Sequence, residues 1–261
     1  MTKKISTLVL TMVGLLTLLP IVMLLWQSIQ TFDESFMPVL GITQYTEIIA
    51  NPWYWNNYKN SLILTIGSLV FAMPIGILAG MLIAFSRRKS QKRLMVLYFI
   101  ALMMPFQVIM LPLFQLAVQA KLHDTHASII LLNTFAPLSA LVCWALIRQI
   151  DDEQWDAVLL ETNSSFVIIT KIILPQIAPG LMALALLLWS EAWNMVEQPL
   201  ILLPSKELQP LSIYYNDILS NASGYAGAVL YALPVIVIYA IFAVYLRTQS
   251  ALKHKKEDVR L

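Results

Sequence analysis

The chain has 261 residues, of which 59% are hydrophobic and 12% charged, for a formal net charge of +2; its mean hydropathy is +0.72. Soluble domains are about half apolar and about a quarter charged, so this composition excludes a water-soluble enzyme, and so much apolar surface excludes a disordered chain. The small net charge gives no reason to expect nucleic-acid binding, and the single cysteine, Cys143, excludes an internal disulfide framework or a cysteine-based metal site.

Six apolar runs follow one another along the chain, at Ile5–Gln27, Ser61–Ser86, Leu94–Ala117, Ala127–Ile147, Pro179–Leu203 and Gly227–Leu246. Each is close to the roughly 20 residues that cross a bilayer as a helix. The first follows Lys3 and Lys4, as a signal peptide would. Its apolar stretch is too long for one, and no small-x-small site follows, so an uncleaved span is expected. Strands of alternating polarity are absent from the pattern, which argues against a membrane barrel. The expected fold is therefore an all-α membrane protein with six transmembrane helices, forming one domain over 1–261.

Fourteen Lys and Arg residues fall in one alternate set of connecting segments and termini, including the run Arg87, Arg88, Lys89, Lys92 and Arg93; the opposite set holds only Lys59, Lys121 and Lys206. Positive charge gathers on the cytoplasmic side, which puts both termini inside the cell and Ser28–Asn60, Val118–His126 and Pro204–Ala226 outside. Trp53, Tyr54, Trp55 and Tyr58 enrich the first outer segment in aromatics of the kind found at the headgroup level.

The segment 148–178 is cytoplasmic in this scheme and too polar to span. Asp151 and Gln154 have capping-box spacing. Beyond them Trp155, Val158, Leu159 and Thr162 recur at i, i+3, i+4 and i+7, giving one mostly apolar helical face. The other faces carry Asp152, Glu153 and Asp156. A helix lying on anionic lipid would be basic there, so an acidic one fits a partner protein's groove better. Asn163-Ser164-Ser165 breaks the chain, and Pro175 ends the short helix expected over Phe166–Ile173.

These residues resemble the cytoplasmic motif of binding-protein-dependent ABC importer permeases, E-A-A-x3-G-x9-I-x-L-P. Here the register reads Asp156-Ala157-Val158, Thr162, then Ile172-Ile173-Leu174-Pro175. The spacing is complete, while Asp, Val and Thr replace Glu, the second Ala and Gly. The likeness runs along nearly the whole chain and is greatest to the shorter, MalG-type permeases of carbohydrate importers. It includes Tyr45, Trp55 and Asn60-Ser61-Leu62 before the second span, and Met103-Met104-Pro105-Phe106-Gln107-Val108 with Pro112-Leu113 in the third. It continues with Ala192-Trp193-Asn194 and Pro199-Leu200 in the fifth and Ala232-Leu233-Pro234 in the sixth; Met195 stands where the family usually places an acidic residue.

The resemblance implies a type I ABC importer permease fold with a cytoplasmic coupling helix, in the cytoplasmic membrane. It implies a paralogous permease as partner, an ABC ATPase dimer that hydrolyses the ATP, and an extracytoplasmic solute-binding protein. Trp155, Asp156, Ala157, Val158, Leu159, Thr162, Leu174 and Pro175 would then carry ATPase coupling, and the cargo would be a carbohydrate or related small solute moved by alternating access. An alternative keeps the scaffold in a non-import complex, for export or force transmission to an extracytoplasmic partner. Small residues at Gly67, Gly76, Gly80 and Ala84 are expected to face other helices.

No catalytic, cofactor or metal site is expected. The chain has no GxxxxGK[ST] loop, and His123 and His126 around Asp124 lack further ligands nearby. Glu191 and Glu197 fall within the fifth apolar run, where an ionisable residue is by default functional. Six residues place them about 240° apart on a straight helix. With Trp193 as a stacking platform and Asn194, they form the candidate substrate path. A break near Asn194–Pro199 would instead leave Glu197 hydrated at the outer interface.

Overall fold

The computed structural model describes residues 2–32, 38–151, 154, 164–219 and 224–258. The coupling residues Trp155, Asp156, Ala157, Val158, Leu159 and Thr162 lie outside the described residues. The described chain is almost entirely helical. Its elements are α1 (Thr2–Ser28), the strands β1 (Gln30–Phe32) and β2 (Pro38–Leu40), α2 (Thr43–Ala50), α3 (Pro52–Phe85), α4 (Arg88–Met103), α5 (Phe106–Gln119), α6 (His126–Thr134) and α7 (Pro137–Ile147). They continue as α8 (Ser165–Val167), a π-helical stretch Ile168–Ile173, α9 (Leu174–Trp193), α10 (Glu197–Leu202), a 3₁₀ turn Lys206–Leu208, α11 (Leu211–Leu219) and α12 (Gly224–Asp258).

Among the described residues five helical stretches are long and apolar enough to cross a membrane, and six if the bent pair α4 and α5 counts as one span. That pair turns by 94° where the sequence pattern reads one run over Leu94–Ala117. Pro105 disfavours helical geometry at the residue before it, and Met104 is extended (φ −70°, ψ 118°).

The chain divides into two compact units, Met1–Lys59 with Pro210–Val237 and Asn60–Gln209 with Ile238–Leu261. In the first, α1 leaves long apolar side chains such as Leu10, Leu15 and Val22 exposed, as suits a helix that meets lipid or another protein. Its end is tied down by a short antiparallel hairpin, with Thr31 opposite Val39. Below the hairpin the Tyr45 hydroxyl donates to Ser28 Oγ at 2.7 Å, and Gln44 Nε2 donates to the Gln30 carbonyl. Asn51 Nδ2 donates to the Tyr214 hydroxyl at 2.8 Å, and Tyr215 stacks on Tyr231 with centroids 5.3 Å apart.

The second unit packs the C-terminal part of α3 against α6, α7 and α9. Small residues let the backbones close. A Cβ at Gly80 would come within 2.6 Å of Cys143 Cβ and 2.7 Å of the Trp144 nitrogen, and one at Gly76 within 2.3 Å of Ser139 Oγ. The glycines expected to face other helices thus meet helices of their own chain. Ala72, Cys143, Ile147, Ile150, Ile173, Ile177 and Leu184 form a buried cluster. A second cluster is built from Leu64, Ile129, Ala192, Met195, Leu202 and Leu203.

Candidate substrate cavity and coupling junction

Both ends of the 148–178 segment are held by burial. Ile150, near its start, and Ile173 and Ile177, at its far end, belong to one cluster, with Ile168 and Ile169 packed against it. The π-helical stretch Ile168–Ile173 carries the motif's Ile172 and runs directly into its Leu174 and Pro175. Pro175 lies inside a continuous helical path, since the Leu174 N–H donates to the Ile169 carbonyl, so the helix that the sequence pattern ends at Pro175 runs on through it into α9. A π-helical turn is rare and commonly marks a functional position; here it joins the motif segment to the fifth apolar helix. Phe166, immediately upstream, is 74% exposed.

Further along the unit, α9 ends at Trp193 and Asn194 closes it, its backbone N–H and its Nδ2 both donating to the Ser190 carbonyl at 3.1 and 2.8 Å. The chain restarts as α10 at Glu197. The break therefore separates Glu191 from Glu197, and the two carboxylates take different roles. Glu197 accepts from Gln107 Nε2 through both oxygens, at 2.8 and 2.9 Å. Glu191 lines a cavity of about 240 Å³, together with Ser68, Asn133 and Gln198 and an otherwise mostly apolar wall that includes Phe106 and Phe135. The four candidate path residues are thus not one surface. Trp193 is fully buried and stacks on Trp189 with centroids 6.2 Å apart, so it presents no open face for a sugar ring. Asn194 works as a helix terminus.

Sequence reasoning missed Ser68, Asn133 and Gln198. Asn133 and Ser68 come from helices 65 residues apart and are joined by a 3.1 Å hydrogen bond. The signal in the sequence is polarity inside apolar runs, which a neutral amide or hydroxyl gives more weakly than a carboxylate.

The opposite end of this unit is polar. α5 closes in a Schellman turn: the Leu122 N–H donates to the Ala117 carbonyl at 2.8 Å and the Lys121 N–H to Val118 at 3.0 Å. Lys121, with φ 57°, occupies the left-handed position usually given to Gly. Asp124, also left-handed (φ 59°), accepts from the Ser205 hydroxyl at 2.5 Å and the Ser205 N–H at 3.2 Å, while its own N–H donates to the Leu202 carbonyl at 2.9 Å. The Ser205 hydroxyl bond holds the Asp124 carboxyl below its ordinary value. His126 Nε2 lies 3.1 Å from the Leu208 carbonyl, and His123 meets Phe114 edge-on. Asn60 Nδ2 donates to the carbonyls of Glu207 and Gln209 at 2.7 and 3.0 Å.

Apolar helices of spanning length, a cavity among them with a few polar groups on a mostly apolar wall, and a motif segment anchored at both ends fit a multi-pass membrane transport protein. Residues 72–249 match the family described as binding-protein-dependent transport system inner membrane component, and the chain belongs to that family. It is 29% identical over 254 residues to the arabinooligosaccharides transport system permease protein AraQ of Bacillus subtilis, covering 92% of this chain and 90% of the relative. It is 24% identical over 206 residues to the diacetylchitobiose uptake system permease protein DasC of Streptomyces coelicolor, covering 76% and 72%. Among solved structures, a bacterial ABC transporter involved in import of the acidic polysaccharide alginate superposes with a TM-score of 0.72 at 20% identity, covering 92% of this chain and 95% of that one. The MetNI methionine ABC transporter superposes with a TM-score of 0.62 at 18% identity, covering 76% and 98%. The fold is that of a type I ABC importer permease, a non-catalytic membrane subunit of an ABC transporter.

Proposed function

We propose that the chain is one of two unlike membrane subunits of an ATP-driven importer for a neutral oligosaccharide or related sugar. A longer permease pairs with it, two ABC ATPase subunits drive it, and an extracytoplasmic solute-binding protein delivers the cargo. The observation that carries the carbohydrate assignment is that its curated relatives include permeases named for arabinooligosaccharide, diacetylchitobiose, lactose and raffinose-type transport. Uptake and import in those names also favour import over a non-import role. Both termini lie inside, on the fourteen-to-three distribution of positive residues; cysteines at Ser90 and Ser205 are then labelled from opposite sides of the membrane, and labelling from one side refutes the topology.

In this reading Trp155, Val158 and Leu159 form the apolar stripe that docks on the ATPase, with Asp156 and Ala157 beside it. Thr162, Leu174 and Pro175 complete the connection to α9. Burial of such side chains is worth about 1.5–3 kcal/mol each, and Trp is a frequent dominant anchor. The reading is tested by deleting the gene and measuring uptake of radiolabelled arabinotriose, diacetylchitobiose, lactose and raffinose. Loss of uptake of one of them, restored by the wild-type chain and not by Trp155→Ala, is the expected result. Unchanged uptake of all four refutes the carbohydrate assignment, and full rescue by Trp155→Ala refutes the coupling stripe.

A further inference from the structure

The cavity bounded by Glu191 has an uneven polar inventory. An ionised carboxylate only accepts hydrogen bonds, and no hydrogen bond or ion pair engages Glu191 among the described residues. Gln198 Oε1, also in the cavity wall, is buried and has no donor. Asn133 spends an amide hydrogen on Ser68 Oγ, which leaves its carbonyl oxygen as a further acceptor. Among the described residues no Lys, Arg or His lines the space. The remaining wall is mostly apolar, with Phe106 and Phe135 on it.

A buried acceptor left without a donor is costly, and an intramembrane carboxylate facing a cavity calls for a partner. A ligand that answers both carries several neutral hydroxyl donors and an apolar C–H face. An anion would meet Glu191 with no compensating cation. A small organic cation would find one carboxylate and a largely apolar wall, which does not replace its hydration.

We propose that this cavity is a subsite, supplied by this chain itself, for one glycosyl unit of a neutral oligosaccharide, and that Glu191 makes it select neutral sugars over acidic ones. The proposal rests on the carbohydrate-import reading above. It sets this chain apart from the alginate importer that shares its fold and takes an acidic polysaccharide. Gln198 holds the ring by accepting from a second hydroxyl, and the two phenylalanines cover its apolar face.

The test uses the complete transporter purified in detergent without the solute-binding protein. Equilibrium binding is measured for the four radiolabelled sugars named above and for trigalacturonate. The wild-type complex binds the sugar that it imports and binds trigalacturonate at least about tenfold more weakly. Gln198→Ala weakens the neutral sugar about tenfold, the loss of one hydrogen bond to a buried acceptor. Glu191→Gln keeps an acceptor but removes the charge, so it weakens the neutral sugar less, about threefold to tenfold, by turning a charge-assisted bond into a neutral one, and it narrows the gap to trigalacturonate. Co-purification of the ATPase verifies that each variant is assembled. A complex that imports one of the sugars, yet whose wild-type form binds none or whose variants bind as wild type, overturns the subsite and leaves the import reading standing. Trigalacturonate binding equal to the neutral sugar overturns the selectivity. A complex that imports none of the four overturns the import reading itself.

Discussion

The two ends of the Asn60–Gln209 unit are held by opposite means. Where the motif segment leaves and rejoins, the contacts are aliphatic: Ile150, Ile173 and Ile177 in one cluster, with Ile168 and Ile169 against it. At the other end, the 120–126 turn is fastened to residues 202–209 by Asp124, His126 and the backbone, and Asn60 reaches the same segment. Apolar burial is non-directional and tolerates small sliding, whereas hydrogen bonds fix a register and depend on protonation. One end can thus slide as a packed body, while the other holds one arrangement until a donor or acceptor changes.

The largest expected effect comes from the apolar side. Gly80→Ala sets a methyl against Trp144 backbone nitrogen and Cys143 Cβ, neither of which can rotate away. Overpacking of this kind costs about 1–3 kcal/mol, so the thermal midpoint of the solubilised protein falls by several degrees. At Gly180 the three atoms nearest an added methyl all belong to the Leu146 side chain, which can move, and Gly180→Ala costs much less in the same assay. Equal losses at both positions would show that backbone approach does not limit this interface.

A smaller effect is expected at the polar end, and it depends on pH. The Asp124 carboxyl is held below its ordinary value by the Ser205 hydroxyl. The clasp is therefore fully formed above the ordinary carboxylate value, near pH 4, and is lost as pH falls through the lower folded value. Protease cleavage within 203–209 in reconstituted vesicles should rise in that acid window, and Asp124→Ala should make it high and flat across the range. A wild-type profile that does not change with pH removes Asp124 from the clasp. The smallest effect is at Lys121. Relieving its left-handed backbone with Lys121→Gly should stabilise the turn by about 1 kcal/mol, which a small upward shift in thermal midpoint reports; a downward shift would mean that the lysine side chain matters more than the backbone.

The spans were readable because each is a long apolar run with positive residues at alternate ends. Where a run was interrupted, reading failed in physically distinct ways. Pro105 is visible in the sequence, but a proline inside an apolar run is compatible with a mild kink or a right-angle elbow, and neighbouring helices decide between them. The π-helical turn at Ile168–Ile173 differs from an α-helix by one residue of register, and an unbroken Ile-Ile-Thr-Lys-Ile-Ile string carries no sign of it. Glu191 was legible as a candidate because ionisable groups stand out against apolar neighbours, and it lines the cavity. Its companions Asn133 and Gln198 were not, since they are assembled across helices distant in sequence. The Asp124–Ser205 clasp joins residues 81 apart, beyond the reach of any local pattern.

The elbow between Met103 and Phe106 also bears on where water can go. The arms of 16 and 14 residues reach about 24 and 21 Å, each short of a hydrocarbon layer about 30 Å thick. At the corner the regular ladder stops, and Pro105 has no N–H to offer, so carbonyls near this point have lost their usual donors within the oily slab. Lipid tails supply none, and such groups persist at that depth only against protein or a wetted recess. Phe106, the first residue past the corner, lines the cavity that holds Glu191. The corner is thus the place on this unit where backbone groups call for water, beside the cavity rather than at its ends, and deuterium should reach the backbone amides around Phe106 well before those in the middle of α3.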